Sequence, residues 1–588
     1  MKNNSSLFKA GMFILAVIGF NFAANATNYV ANVSGNYSSN STWLGGTAPG
    51  FNITAADNIL ISTGVTVSLD GDLTIDNATA DLLVTGTLSG AHDLNVQAGS
   101  LSGTGTLLLR NLTLAAGSTF SFTSSLTVDN LFNSQAALSL SGKTLINDTL
   151  GLYAGNIAIV AGDTLTFGTG AVVHIDGGTY TAGGGAVSPM GNLNLLYTGT
   201  GVITAGGETL LPNLYNVDVM LSSSSNQLNL SNNLTVTGQL NVISGSLNIN
   251  GHSLVLNGTV NTSNVGSLSG TNLSNLTLGG GAGNMGNLIF TSGSNMLNNL
   301  TVNTAASGYT NLGSDLTVSG VLTLTSGGIN LTGNSNLTLT GTDSIHGGSP
   351  SSYVATSGTG SLVATIASLL TNSRMMHIGT ASAYAPIRIT NNSLASGNFS
   401  ASTHSGIFAN GTAGSDLSAT ASSVNTSWDI SSDLTTGINV ALEAYWNTAM
   451  EVNAFDRSNV RLSHYINGAW DDSATVQASI HAAGMASVRR SGITSLSPFA
   501  VFSGPALGVN DISTSATFAT YPNPAINTLT VSITDPKATD EVKVYDVIGN
   551  HIATYPMHNS NTIDITNLTS GVYFLSVNNT RTQKFVKQ

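Results

Sequence analysis

The residues of this chain that could do chemistry are carboxylates and a handful of cations. Asp70, Asp72 and Asp76 form the densest acidic group. Carboxylates so placed can hold Ca2+, and a pair about 5 to 10 Å apart can cleave a glycosidic bond. Asp70-Gly71-Asp72 is also a good β-turn, and turn residues are the simpler reading. Between residues 27 and 345 only Arg110 and Lys143 are basic, against fourteen acidic residues. A lyase acting on acidic sugars stabilises an enolate with cations, and neither of these two lies near a carboxylate cluster in sequence. The ten histidines are scattered, without H-x-H or HExxH spacing, which argues against zinc. Met375-Met376-His377 reads as a strand rather than a metal site. No G-x-S-x-G occurs, and glycine runs such as Gly279-Gly280-Gly281 lack the lysine of a phosphate loop. No catalytic, cofactor-binding or metal residue is therefore expected. Trp428, Trp446 and Trp470 could stack on sugars if exposed, but large aromatics more commonly fill a sandwich core.

The elements that would have to position any such group are strands. Hydrophobic residues make up 41% of the 588 residues and charged ones only 7%. That charged share is far below the usual one for a globular protein. Disorder goes with low hydrophobicity, so this is not a disordered chain. No stretch beyond the N-terminus has the roughly 18 consecutive apolar residues of a spanning helix. The net charge of −13 excludes the basic face that nucleic-acid binding requires. There are no cysteines, so disulfides and thiolate metal sites are excluded.

Residues 1–26 read as a signal peptide. Lys2 and Lys9 flank a charged region, residues 11–20 (GMFILAVIGF) are its apolar core, and Ala24-Asn25-Ala26 fits a small-x-small cleavage site. Residues 27–345 carry alternating apolar residues broken by Gly or Asn every few positions. The segment 233–259 (NLTVTGQLNVISGSLNINGHSLVLNGT) returns, one residue longer, at 315–342. Strands with the N-L-T-V pattern recur at irregular spacing. This predicts a parallel β-helix or related β-solenoid, with Leu, Val and Ile inward and Thr, Ser and Asn outward. Stacked β-sandwiches are the structural alternative. Trp43 and the Gly/Pro turn after it read as an N-terminal cap, which a solenoid needs to cover its end.

Composition changes near residues 346–350. Strand-like runs at 385–390, 439–446, 461–470 and 497–504 predict an antiparallel β-sandwich over 346–505, with an Asn467-Gly468 hairpin turn. Residues 506–515 read as a linker, and 516–588 as a compact unit of short strands. The whole is an all-β chain: solenoid, sandwich, and a small C-terminal sandwich.

The last unit resembles the C-terminal sorting domain (type A) of the type IX secretion system of Bacteroidetes. The resemblance rests on Tyr521-Pro522-Asn523-Pro524, Val544-Tyr545-Asp546-Val547-Ile548-Gly549, Ser570-Gly571-Val572-Tyr573 and the end from Lys584 to Gln588. It implies that Tyr521, Pro522, Asn523, Pro524, Tyr545, Asp546, Gly549, Gly571, Tyr573, Lys584 and Lys587 carry the sorting signal. It implies as partners the secretion machinery and its sortase, and as destination the outer cell surface or the medium, after signal-peptide export to the periplasm. Residues 346–505 are similar to a sandwich module found upstream of such domains, through Ile378-Gly379, Tyr384-Ala385-Pro386, Trp428, Trp470 and Ser497-Pro498-Phe499-Ala500. The function expected is that of a structural or adhesin-like surface protein, not an enzyme, with surface glycan or lipopolysaccharide as a further partner. The alternative is a carbohydrate-binding or carbohydrate-active β-helix protein, glycosidase-like or lyase-like. No cofactor is expected, Ca2+ at the Asp70 group being the one candidate.

Overall fold

The computed structural model describes residues 26–504 and 518–588, apart from 182, 282, 307, 342–343, 357–358, 369–371, 472–476, 478, 483, 534–540, 557–559 and 578–580. The signal-peptide core and the linker at 506–515 lie outside the described residues. The chain divides into two compact units, one ending at Gly504 and one from Pro505 to Gln588. The fold is all-β, with about 3% helix.

Most of the first unit is a three-sided solenoid of about 15 turns across residues 52–379. One turn shows how the sequence builds it. Leu234–Val236 lies on the first face. Gln239–Asn248 then supplies both other faces, bending at Ile243 and Ser244. Ser253–Leu256 returns to the first face and pairs in parallel with the starting strand, Leu234 beside Leu254. The same column continues through Leu276, Leu300, Leu322 and Ile345, one position per turn. In each L-T-V triplet the two apolar residues point inward and are almost fully buried, as with Leu234 and Val236. The threonine between them points out, and successive turns align Thr235, Val255, Thr277, Thr301 and Thr323 in one row. Each buried Leu or Val contributes about 2 kcal/mol of hydrophobic stabilisation.

The return of segment 233–259 at 315–342 has an unexpected meaning. Leu234 is on the first face, but its counterpart Leu316 is on the third, paired with Leu337. Leu240 on the second face corresponds to Leu322 on the first. The repeat is therefore not a whole number of turns. What repeats is a strand plus its corner, and any face accepts it.

The recurrent Asn or Asp ahead of each strand links the turns. Asn233 Oδ1 accepts the Ser253 N–H at 2.9 Å, Asn299 the Val321 N–H at 2.9 Å, Asp315 the Asn336 N–H at 2.8 Å and Asn336 the Ser361 N–H at 3.0 Å. Within the second face, Asn311 donates to Asn287 at 3.1 Å and accepts from Asn330 at 3.0 Å. Satisfying corner groups this way matters because a bare corner would leave backbone N–H groups unpaired.

Both ends of the stack are covered. Trp43 is 3% exposed, donates Nε1–H to the Tyr37 carbonyl at 2.8 Å, and packs edge-on to Tyr37 at 5.3 Å. At the other end the parallel stacking continues past 345, the expected end of the repeats, to Ile378–Gly379. There the third face changes character. Leu362–Ile366 is parallel to Leu337–Leu339 on one side and antiparallel to Gly397–Ser405 on the other. One sheet of the sandwich thus grows directly from a solenoid face, through Ser423–Ser432, Pro498–Ser503 and Val460–Ile466. The second sheet runs Ser373–Met376, Ile387–Asn391, Val440–Asn447, Met485–Ile493 and Ile480–Ala482. Met375 and Met376 thus lie in a strand, as expected. His377 follows it against Tyr384, and burial, with Arg388 nearby, lowers its pKa to about 4. Composition shifts at 346 because surface chemistry changes there, whereas the sheet does not end. Trp428 and Trp446 are fully buried in the sandwich, while Trp470 is half-buried and donates to the Phe408 carbonyl at 2.9 Å. Asn467 (φ 52°) and Gly468 (φ 81°) form the expected hairpin turn, with Tyr465 opposite Trp470.

Candidate functional site: the C-terminal tail and two clusters in the solenoid

The tail folds as two antiparallel sheets around one small core. Phe518–Tyr521, Thr528–Ile533 and Ser560–Asp564 form the first. His551–Pro556, Glu541–Tyr545, Gly571–Val577 and Arg581–Lys587 form the second. Leu529, Val531 and Ile563 face Val542, Val544, Leu575 and Phe585 across the core.

The motif residues have distinct structural tasks. Asp546 ends its strand and organises the turn that follows. Its Oδ1 accepts from the Asn550 N–H at 2.8 Å and the Ile548 N–H at 3.0 Å, and its Oδ2 from Asn550 Nδ2 at 3.0 Å. Desolvation opposes its ionisation, but these hydrogen bonds outweigh it and hold the carboxyl below its ordinary pKa. Gly549 closes the turn at φ 87°, where a side chain would be strained. Tyr545 packs edge-on to His551 at 5.5 Å. Asn523 ties the Tyr521-Pro522-Asn523-Pro524 segment to the last strand, donating to the Lys584 carbonyl at 3.2 Å and accepting the Val586 N–H at 2.9 Å. Both X-Pro bonds of that segment are cis. Tyr573 is 8% exposed, stacks on Phe585 at 5.7 Å and donates to the Thr569 carbonyl at 3.0 Å. Lys587 is buried along its stem, and Lys584 is exposed. A Cβ at Gly571 would meet nothing closer than 3.8 Å, so nothing in the structure requires glycine there.

In the solenoid Asp70 and Gly71 form a bend at a corner, and the carboxylates of Asp70 and Asp72 reach neighbouring segments. Asp70 accepts from the Ser38 N–H and hydroxyl. Asp72 Oδ1 accepts the Asp93 N–H at 3.0 Å and lies 3.3 Å from His92 Nδ1. Asp93 Oδ1 accepts from Arg110 Nε at 2.9 Å, Arg110 Nη2 at 2.6 Å and Asn111 Nδ2 at 2.8 Å. Folding thus brings Arg110 to carboxylates that are distant in sequence. The group sits on an outer corner, with side chains of Asp72 57% and Arg110 48% exposed. Among the described residues, no three His, Cys, Asp or Glu side chains are placed to hold a metal ion. Lys143 begins a first-face strand, Lys143–Ile146.

A second cluster escaped the sequence reading. On the first face Ala186–Pro189 ends the N-terminal sheet, and a short 3-10 turn, Gly207–Leu210, occupies the next position before Leu234–Val236 begins the next sheet. On the third face Thr179–Thr181 ends one sheet and Val202–Thr204 begins another. Among the described residues, only the second face runs through. Glu208 turns inward at this break and is fully buried. Its Oε1 accepts from Tyr197 OH at 3.0 Å and the Gly206 N–H at 2.6 Å, while its Oε2 and the Tyr180 hydroxyl are buried without partners. Burial raises the pKa of Glu208 despite these bonds. A glutamate between two glycines and a threonine reads as a loop in sequence, so only the fold reveals it.

No helix among the described residues is long and apolar enough to cross a membrane. No curated protein and no solved structure matches the chain. Residues 519–588 match a family described as Secretion system C-terminal sorting domain. With the four motifs placed in one folded unit, residues 519–588 are a type IX secretion sorting domain, and the chain is a secreted or outer-surface protein of the Bacteroidetes type.

Proposed function

We propose that the chain is a structural or adhesin-like surface protein, led into the periplasm by residues 1–26 and outward by its tail. The supporting observation is how the solenoid uses its polar groups. Corner carboxylates and amides bind the neighbouring turn, as at Asp72, Asp93 and Asp315, which stiffens the stack. What remains outside is a mildly acidic, repeated surface of Thr, Ser and Asn, suited to multivalent contact with glycan or lipopolysaccharide. Deleting 519–588 in a type IX-competent host tests the export half. Retention in the periplasm is expected, and unchanged surface display would sink it. For the adhesive half, the full chain on a glycan array is expected to bind neutral polymers without cleaving them.

One observation favours the second reading, a carbohydrate-active protein. Asp72, Asp93 and Arg110 come together from three successive turns. If the purified chain depolymerises a polysaccharide and Asp93→Ala abolishes this, the adhesive reading loses.

A further inference from the structure

The register of the four-stranded tail sheet brings four separated motifs to one end. Tyr545 lies opposite Phe574, and Phe574 opposite Lys584. Beyond that row, in one direction, come the turn at 546–550, then Val572 beside Val586 and Gly571 beside Lys587. Asn523 and Ala525 lace along the same end, Ala525 giving its N–H to the Val586 carbonyl at 2.8 Å. At this end Asp546, Asn523 and Tyr573 commit polar atoms to the domain's own backbone, while Lys584 and Tyr521 stay exposed. Asp546 is spent on its turn, Asn523 on the last strand and Tyr573 on Thr569. The atoms so committed are less free to bind a partner.

The apolar residues at this end are the ones left outside. Ile548 is 80% exposed, Val547 64%, Ile526 61% and Val572 38%. Isolated exposed aliphatics need no explanation, but four at one end of so small a domain form a patch. The two most exposed stand on a turn that Asp546 and Gly549 hold rigid, so little conformational entropy is lost when they are buried. The domain is also electrically balanced. Lys537, Lys543, Arg581, Lys584 and Lys587 offset Asp535, Asp540, Glu541, Asp546 and Asp564, so the net charge of −13 belongs to the rest of the chain. Attraction between net charges therefore cannot supply recognition of the tail.

We propose that the type IX machinery reads the tail through this apolar end, Val547, Ile548, Val572 and Ile526, and that the polar motif residues are the frame that builds it. The occupant is a protein subunit of the secretion machinery with an apolar recess for the 547–548 turn. This rests on the chain being type IX cargo.

The test uses the full chain in a type IX-competent host. Val547→Ser/Ile548→Ser is expected to cut the surface-delivered fraction tenfold or more, with the protein accumulating in the periplasm. The tail should keep its resistance to limited proteolysis, because neither side chain is in the core. Val572→Ser, within a paired strand, should give a smaller loss of the same kind and is scored independently of the turn. Val547→Leu/Ile548→Leu should restore delivery, as an apolar contact allows. Delivery of the serine variants at the wild-type level overturns the proposal, and so does failure of the leucine pair to restore it. Loss of a dimer of the full chain in sedimentation, with delivery unchanged, would assign the patch to a second copy and also overturn it. Deletion of 519–588 is run beside these. If the deletion is delivered normally the cargo reading itself fails, whereas retained deletion with delivered serine variants fails the patch alone.

Discussion

The solenoid and the tail are both built from short strands, yet they treat their surfaces in opposite ways. In the solenoid, amides and carboxylates at the corners bind the next turn, and the aliphatics are mostly inside. In the tail, the polar motif residues fix turns and strand ends, and aliphatics stand exposed at one end. The first pattern suits a body that must be stiff and that repeats one polar surface. The second suits a domain that must be recognised. The difference also extends to cooperativity. Each solenoid turn leans on its neighbours along one continuous core, while the tail has a small separate core of its own.

The comparison can be broken most directly in the two cores. Leu575→Ala in the tail and Leu276→Ala in the solenoid each remove a buried leucine, at a cost of about 2–5 kcal/mol. A small domain has only about 5–15 kcal/mol in all, so calorimetry should show the tail transition collapse while the solenoid loosens locally and keeps its main transition. Amide staples give a smaller version of the same contrast. Asn523→Ala removes two hydrogen bonds at the tail's last strand and should cost about 1–2 kcal/mol. Asn311→Ala removes two from a ladder and should cost about 1 kcal/mol, because its neighbours are partly hydrated and the core is untouched.

Acid should separate the regions by sign. Asp546 has a folded pKa below its ordinary 3.8, so its contribution is complete above that value and is lost as pH falls through the folded pKa. Glu208 has a folded pKa above its ordinary 4.5, so its contribution is complete below 4.5 and is lost as pH rises through the folded pKa. Glu208→Gln keeps the acceptor for Tyr197 and Gly206 but cannot ionise. It should raise the solenoid Tm by about 2–4 °C at pH 8 and leave it unchanged at pH 4, as read by scanning calorimetry. The smallest effect is expected at the exposed corner. Arg110→Ala should change stability by no more than about 0.5 kcal/mol and do so only at low salt, since exposed ion pairs are screened.

Much of this was legible in the residues, for identifiable reasons. Period-two alternation marks the N-L-T-V strands, as at Asn275–Leu278 and Asn299–Asn303, because inward and outward sites on a pleated strand differ sharply in hydration. Asn467-Gly468 announced its turn through the positive φ both residues adopt. The tail motifs announced themselves through fixed chemistry at turns. Three features were hidden. Which face a strand occupies depends on the sum of all corners before it, so Leu234 and Leu316 look alike and lie on different sides. The meeting of Arg110 with Asp93 is set by the length of one turn, which no local pattern encodes. The exposure of Val547 and Ile548 is set by the Asp546 turn, which the aliphatic motif itself does not announce.

That strand-and-corner units fit any face has a consequence for how the solenoid can change over generations. A duplication or loss need not conserve the phase of the winding. Adding one or two units would carry everything downstream round to the next side, where it would still pack. Such a fabric can lengthen or shorten in small increments, and a binder that recognises its rows would meet comparable chemistry whichever side it approached.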